Sequence, residues 1–243
     1  MIGTVYKPIQ GITLVCGDVR NFDAVDIQAP AVITDPPYKL TQGGKRKGHF
    51  SGGKMANYDN NGRPVTCDIT WTEVMRVVDT LAAKQSDIFV MASAANENVF
   101  KAHAAAKAQG LRYHNNFQWD KGTPTRNRWG MRHLEDILYL YKGKAVKLRN
   151  CGQKQLIDIP RCKESQHPTP KPVDLMRLLI TLVTSPGDLV VDPFMGGGSC
   201  AVAAVLEGRD FMGFELEPEH FDEACERVQA AIIDMAFKQR VAV

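Results

Sequence analysis

The sequence predicts an α/β protein whose sheet is mostly parallel and carries helices on both faces. Short apolar runs alternate along the chain with segments of helical periodicity, the pattern of strands joined by crossover helices. One apolar run, Leu189-Val190-Val191-Asp192, leads through three consecutive glycines straight into an apolar helical stretch, a strand–turn–helix unit. Length agrees, since 243 residues suit a single domain that buries roughly 70–75% of its unfolded surface.

Ile12–Cys16, Ala31–Thr34, Ile88–Ala92, Tyr113–Trp119, Ile137–Tyr141, Leu189–Val191 and Phe211–Glu215 are short apolar runs bounded by turn residues and read as seven strands. Thr72–Lys84, Glu97–Gln109, Val173–Thr184, Ser199–Glu207 and Pro218–Gln239 repeat their apolar residues at helical spacing. Pro218 suits a first helical turn, and Glu219, Asp222 and Glu223 complement its dipole. Lys39 to about Thr70 is a glycine-hinged loop, longer than a plain connection requires. Lys142–Gln166 is irregular and basic, with room for a short strand at Leu156–Ile159. The expected sheet has seven strands, with one antiparallel strand near an edge. No internal repeat and no clear linker divides the chain, so one domain over 1–243 is expected, with basic loops at about 39–70 and 121–166.

Composition removes several function classes. No apolar run approaches the roughly 18 residues of a membrane span, and the N-terminus lacks a signal-peptide pattern. The six cysteines (16, 67, 151, 162, 200 and 225) form no C-x-x-C pair and no ligand-like spacing with histidine, so thiols in a reducing, cytoplasmic compartment are expected and a metal is not. The net charge of +3 is unevenly spread. Lys39, Lys45, Arg46, Lys47 and Lys54 occur without an acid between Pro36 and Tyr58. A second basic stretch runs from Arg112 to Lys154, whereas from Val173 onward twelve acids face five bases. A basic face of this kind suits a polyanion, although charge runs also serve as plain solvated surface.

Two turns carry the chemistry. In Val32-Ile33-Thr34-Asp35-Pro36-Pro37-Tyr38, the prolines end the strand at a carboxylate and stiffen the chain just beyond it. Alone, this is equally a Pro-rich turn with a capping Asp. In the second turn, Gly196, Gly197 and Gly198 let backbone approach a ligand and leave the N–H groups at the start of the helix, from Ser199, free to bind. Glu215 ends the next strand, where an acid can accept both hydroxyls of a ribose. Gly196, Gly198 and Ala201 also satisfy the G-x-G-x-x-[GA] dinucleotide pattern, which keeps a nicotinamide enzyme in competition. Its position argues the other way. Only 28 residues follow Glu215, too few for the strands such a fold adds downstream.

Taken together, Asp35-Pro36-Pro37-Tyr38 near the start and Asp192-Pro193-Phe194-Met195-Gly196-Gly197-Gly198 near the end resemble the DNA amino-methyltransferases. The order, catalytic motif first and cofactor turn last, resembles their circularly permuted β group. Phe117-Gln118-Trp119-Asp120-Lys121 is similar to that family's strand ending in W-x-K, and His167-Pro168-Thr169-Pro170-Lys171-Pro172 to its H-P-T-x-K-P segment. The resemblance covers nearly the whole chain. It departs in one respect, because only about 25 residues separate the strand near Tyr141 from His167, where many members carry a large recognition region.

The resemblance implies the Rossmann-like fold of S-adenosylmethionine-dependent methyltransferases, permuted, and S-adenosylmethionine as methyl donor. It implies catalysis at Asp35, Pro36, Pro37 and Tyr38. Asp35 and the Pro36 carbonyl would hold the target amine, and Tyr38 would stack on a flipped base. It places cofactor contacts at Asp18, Asp35, His167, Thr169, Lys171, Asp192, Phe194, Gly196, Gly198, Ser199 and Glu215. DNA contacts are expected from Lys45, Arg46, Lys47, Lys121, Arg126, Arg128 and Arg132. D-P-P-Y goes with adenine N6 more often than with cytosine N4, which stays the first alternative. A catalytically silent DNA-binding relative is the alternative from another class. The expected partner is DNA and no membrane. A monomer or homodimer, bacterial or phage-encoded, completes the expectation.

Overall fold

The computed structural model of the chain describes residues 3–22, 27–37, 69–92, 98–125, 130–161 and 171–241. Its strands are β1 (Val5–Tyr6), β2 (Ile12–Cys16), β3 (Ala29–Thr34), β4 (Ala82–Ala92), β5 (Arg112–Thr125), β6 (Arg132–Lys142), β7 (Leu156–Asp158), β8 (Leu189–Asp192) and β9 (Asp210–Glu215). Its helices are α1 (Trp71–Leu81), α2 (Asn98–Ala108), α3 (Val173–Val183), α4 (Ser199–Leu206) and α5 (Pro218–Val241). All nine strands of the described residues join one sheet in the order β1-β2-β9-β8-β3-β4-β6-β5-β7.

The central run β2-β9-β8-β3-β4 is parallel throughout. Successive residues of its strands are buried on opposite faces. Ile33, Phe89 and Val190 pack with the α3, α4 and α5 side, while Val32, Ile88 and Val191 pack with α1 and α2. Each such side chain withdrawn from water contributes about 1.5–3 kcal/mol, which is why these strands read as continuous apolar runs. The helices show the matching logic. α1 begins in a reciprocal cap: Thr70 Oγ1 accepts from the Glu73 N–H at 3.3 Å, and Glu73 Oε2 accepts from the Thr70 N–H at 2.8 Å. It buries one stripe, Val74, Met75, Val78 and Leu81. α4 is buried on all sides from Ser199 to Val205, as its unbroken small apolar sequence requires.

The β8–α4–β9 crossover lies on one face and the β3–α1–β4 crossover on the other. β8 and β3 are neighbours, so the winding reverses between them. A reversal opens a crevice at the carboxyl ends of the two strands, where open α/β sheets take their ligands.

One expectation about the sheet is corrected. It has nine strands among the described residues rather than seven. β7 occupies the short run at Leu156–Ile159, and β1, with two residues, is too short for periodicity to reveal. The antiparallel strand lies near one edge as expected: β6, between β4 and β5, runs antiparallel to both, and β1 is a further antiparallel strand at the opposite margin. The region 121–166, expected as a loop, also carries structure. β5 continues to Thr125 through an irregular register, and β6 resumes at Arg132.

Candidate active site

Four acids stand at the carboxyl ends of four adjacent parallel strands. In sheet order they are Asp18 just beyond β2, Glu215 at the end of β9, Asp192 at the end of β8 and Asp35 just beyond β3. Asp18 comes after a glycine, and Asp192 and Asp35 come before prolines, residues that end a strand.

Asp35 is held asymmetrically. Its Oδ2 accepts from the Lys171 ammonium, while its Oδ1 is buried and has no hydrogen-bond partner among the described residues. Burial pushes the Asp35 carboxyl above the usual range, Lys171 pulls it back, and Glu135 adds to the rise. The Lys171 side chain, only 6% exposed, also faces Glu135 Oε2 at 3.5 Å. Glu135 Oε1 in turn accepts from Lys121 Nζ at 3.0 Å. Burial opposes the charge on Glu135, but Lys171, Lys121 and Arg161 outweigh it and hold its carboxyl below the usual range.

The neighbouring turn is braced from within. Asp192 Oδ1 accepts from Thr34 Oγ1 at 2.7 Å and from the Phe194 N–H at 3.1 Å, tying the end of β8 to the end of β3. Burial pushes Asp192 up to about 7, against these hydrogen bonds and helped by Asp35 and Glu215. Glu215 accepts from the Gly196 N–H and the Glu217 N–H, each at 2.9 Å. Its carboxyl is also raised, chiefly by burial. Phe194 packs against the core on the α1–α2 side.

The glycines have a reason the sequence did not reveal. Gly198 has φ +77°, and a Cβ there would stand 2.7 Å from Ala224 Cβ of α5. A Cβ on Gly197 would stand 3.1 Å from the Glu223 carboxyl carbon. At these two positions the close approach is to α5. Arg227 of α5 donates to the Gly197 carbonyl and, at 3.2 Å, to Ser199 Oγ. Ser199 is thus engaged by the protein itself.

Asp18 is likewise engaged locally. It accepts from the Arg20 N–H at 2.9 Å and from the Arg20 guanidinium, whose hydrogen bonds hold the Asp18 carboxyl below the usual range. Gly17, Asp18, Asn21, Phe22 and Phe214 line a shallow concavity beside it. Lys121, expected at DNA, has its ammonium on Glu135 and its side chain 11% exposed. Tyr38, Lys45, Arg46, Lys47, Arg126, Arg128, His167 and Thr169 lie outside the described residues, as does the side chain of Arg132.

Sequence reasoning missed Glu135, Arg20 and Arg227. Glu135 is brought to the site by strand pairing, opposite Trp119, and nothing local to His133-Leu134-Glu135-Asp136 reveals that register. Among the described residues no group of three or more His, Cys, Asp or Glu could hold a metal, and no helix is long and apolar enough to cross a membrane.

A half-satisfied buried carboxylate beside a cation, at a winding reversal, can receive a polar N–H or O–H and stabilise positive charge that grows on it. The comparisons with known proteins agree with that chemistry. The Type II methyltransferase M2.DpnII of Streptococcus pneumoniae is 26% identical over 232 residues, covering 82% of each chain. M2.MboI of Moraxella bovis is 25% identical over 238 residues, covering 86% of this chain and 85% of its own. The crystal structure of the M1.HpyAVI-SAM complex superposes with a TM-score of 0.67 at 22% identity, covering 89% of this chain and 99% of that one. PvuII DNA methyltransferase, cytosine-N4-specific, gives 0.64 at 18% identity, over 89% of this chain and 86% of its own. At these identities the two structures establish a shared fold. The family model for DNA methylases, N6_N4_Mtase, matches residues 30–226, and the chain belongs to that family.

Proposed function

We propose that the protein transfers a methyl group from S-adenosylmethionine to the exocyclic N6 amine of adenine in DNA, by direct in-line displacement on a base swung out of the helix. The observation that carries this reading is Asp35, with one oxygen fixed by Lys171 and the other buried and unpaired among the described residues.

The residues fit the donor. Asp18, Glu215, Asp192 and Asp35 end consecutive strands β2, β9, β8 and β3. Three strand spacings of roughly 4.8 Å make about 14 Å, the span of an extended nucleoside carrying an amino-acid arm. Glu215 would hold the ribose hydroxyls. The concavity at Gly17, Phe22 and Phe214 would take the adenine, and the turn at Asp192–Gly196 the methionine arm. When bound, the donor supplies an electrophilic methyl group on a sulfonium.

The chain does the rest. An exocyclic amine is a poor nucleophile because its lone pair is delocalised into the ring. Asp35 Oδ1 would accept one N–H and the Pro36 carbonyl the other, which favours a pyramidal nitrogen with its lone pair aimed at the methyl. Pro36 and Pro37 hold these acceptors stiffly, so little ordering is left for the transition state. The N–C bond would form as the S–C bond breaks, S-adenosylhomocysteine would leave as the neutral thioether, and the positive charge would pass to the nitrogen beside Asp35 until that nitrogen loses its proton to solvent. The carboxylate stabilises that charge where it develops. Tyr38 would stack on the flipped base, worth about 1–3 kcal/mol against a few kcal/mol of unstacking.

D-P-P-Y favours adenine over cytosine. Lys45, Arg46, Lys47, Arg126, Arg128 and Arg132 would contact phosphate and base edges, so affinity for DNA should fall steeply with salt. The same reading makes 1–243 one permuted methyltransferase domain, in the cytoplasm of a bacterium or encoded by a phage, acting as a monomer or homodimer. Nucleoside mass spectrometry of unmethylated DNA incubated with protein and S-adenosylmethionine tests it. N6-methyladenine is the expected product. N4-methylcytosine would overturn the base assignment, and neither product would overturn the reaction.

A further inference from the structure

We propose that Glu135 is a positioning residue for methyl transfer: with Lys121 behind it, Glu135 fixes the Lys171 ammonium, and Lys171 fixes which oxygen of Asp35 is left to meet the base. The inference rests on the reaction proposed above.

The four residues form a line of alternating charge, Asp35, Lys171, Glu135 and Lys121. Their side chains are 22%, 6%, 16% and 11% exposed, so each charge depends on its neighbours rather than on water. Glu135 lies on β6, two strands from β3 across β4. Two spacings amount to about 10 Å, too far for Glu135 to touch Asp35 itself. Lys171, entering at the start of α3, closes that gap and meets both carboxylates. Lys121 sits on the paired strand β5, two residues past Trp119, whose partner across the ladder is Glu135. The antiparallel β6 thus delivers an acid to the carboxyl edge from a strand running the other way.

The arrangement answers a mechanical need. A lysine ends a flexible four-carbon stem and carries a point charge that any carboxylate oxygen can attract. Drawn toward Asp35 with no carboxylate opposite, the ammonium could slide between Oδ1 and Oδ2. A second carboxylate on its far side defines its place, and it then takes Oδ2 only. Stability alone does not account for such a line, because a buried ion network is commonly no more stabilising than apolar residues of the same volume. What it supplies is one orientation of Asp35 before the substrate arrives.

Among the described residues, the charged groups facing Asp35 are Lys171, Glu135 and Asp192, and those facing Glu135 are Lys171, Lys121 and Arg161. Glu135 adds to the rise in the Asp35 carboxyl, so its neutralisation lets Asp35 ionise at lower pH.

The test compares Glu135→Gln with wild type by kcat, by the acid limb of the kcat–pH profile and by calorimetric binding of S-adenosylmethionine. The expected result is a kcat reduced about tenfold or more by misplacement, an acid limb moved to lower pH, and cofactor affinity unchanged. Glu135→Asp should recover part of the loss. In a Lys171→Met background, Glu135→Gln should lower the plateau kcat almost no further, because that loss acts through the lysine, while its direct charge effect on the acid limb remains. Should Glu135→Gln fail to fold, Lys121→Met replaces it in the same two backgrounds, with the same loss of kcat and the same lack of effect without Lys171. An unchanged kcat and acid limb, or equal losses in both backgrounds, would overturn the proposal. Absence of turnover by the wild-type protein would instead overturn the reaction on which it rests.

Discussion

Lys171 donates to one oxygen of Asp35 and leaves the other buried without a partner among the described residues. A carboxylate bound at both oxygens is satisfied, and one bound at neither swings. Asp35 is neither, and its free acceptor has a direction. Asp35→Ala should therefore lower kcat by on the order of 10³-fold or more while leaving S-adenosylmethionine binding largely intact. Retained turnover would remove Asp35 from the chemistry.

Lys171→Met tests the other half of that pairing. Burial and Glu135 raise the Asp35 carboxyl, and Lys171 is what lowers it. Without the ammonium, Asp35 should stay protonated to higher pH. The acid limb of the kcat–pH profile should then move upward, opposite to its movement in Glu135→Gln. A shift to lower pH would show that Lys171 does not govern Asp35.

Stability should report Asp192. Its folded value of about 7 lies above the roughly 3.9 of an unfolded aspartate. Its contribution is therefore fully present below about pH 4 and is lost as pH rises through 7, with a magnitude on the order of a few kcal/mol. Asp35 and Glu215 are raised and slope the same way. Asp18 and Glu135 are lowered and slope oppositely, but only below about pH 5, where they titrate. Between pH 5 and 8 the cofactor-free protein should lose thermal stability, and Asp192→Asn should flatten that decline. Scanning fluorimetry across that range decides it, and a wild-type melting temperature rising toward pH 8 would contradict it.

Gly198→Ala should destabilise the protein by about 1–3 kcal/mol, since it puts a Cβ at φ +77° and 2.7 Å from Ala224. Cofactor affinity should weaken with it, because the turn and α5 move together. A variant of wild-type stability that merely binds the cofactor poorly would return Gly198 to the role of ligand cradle.

Much of this was legible in the sequence, for physical reasons. β2 and the start of α3 lie where apolar periodicity put them, because burial on both faces leaves an unambiguous local pattern. Asp35 and Asp192 were legible because prolines mark the ends of their strands, and Glu215 because it closes the apolar run after the glycine turn. The three-dimensional pairings were not. Lys171 was expected at the cofactor along with Asp35, but the pairing of its ammonium with Asp35, 136 residues away in the chain, was not foreseen. Glu135 depends on the β5–β6 register, and Arg227 on how α5 docks against the glycine turn. Such contacts follow from packing at long range, on which local propensity is silent.

The Thr34–Asp192 hydrogen bond joins residues 158 positions apart. No fragment holding only the early strands, or only the late ones, possesses the edge it ties together. During synthesis, then, Asp35, the proposed catalytic carboxylate, leaves the ribosome long before the Asp192 turn proposed to present a methyl group to it. On that reading a half-made or partly unfolded copy should be silent rather than indiscriminate. For a member of the DNA methylase family, inactivity until folding is complete would be a safeguard written into the order of its strands.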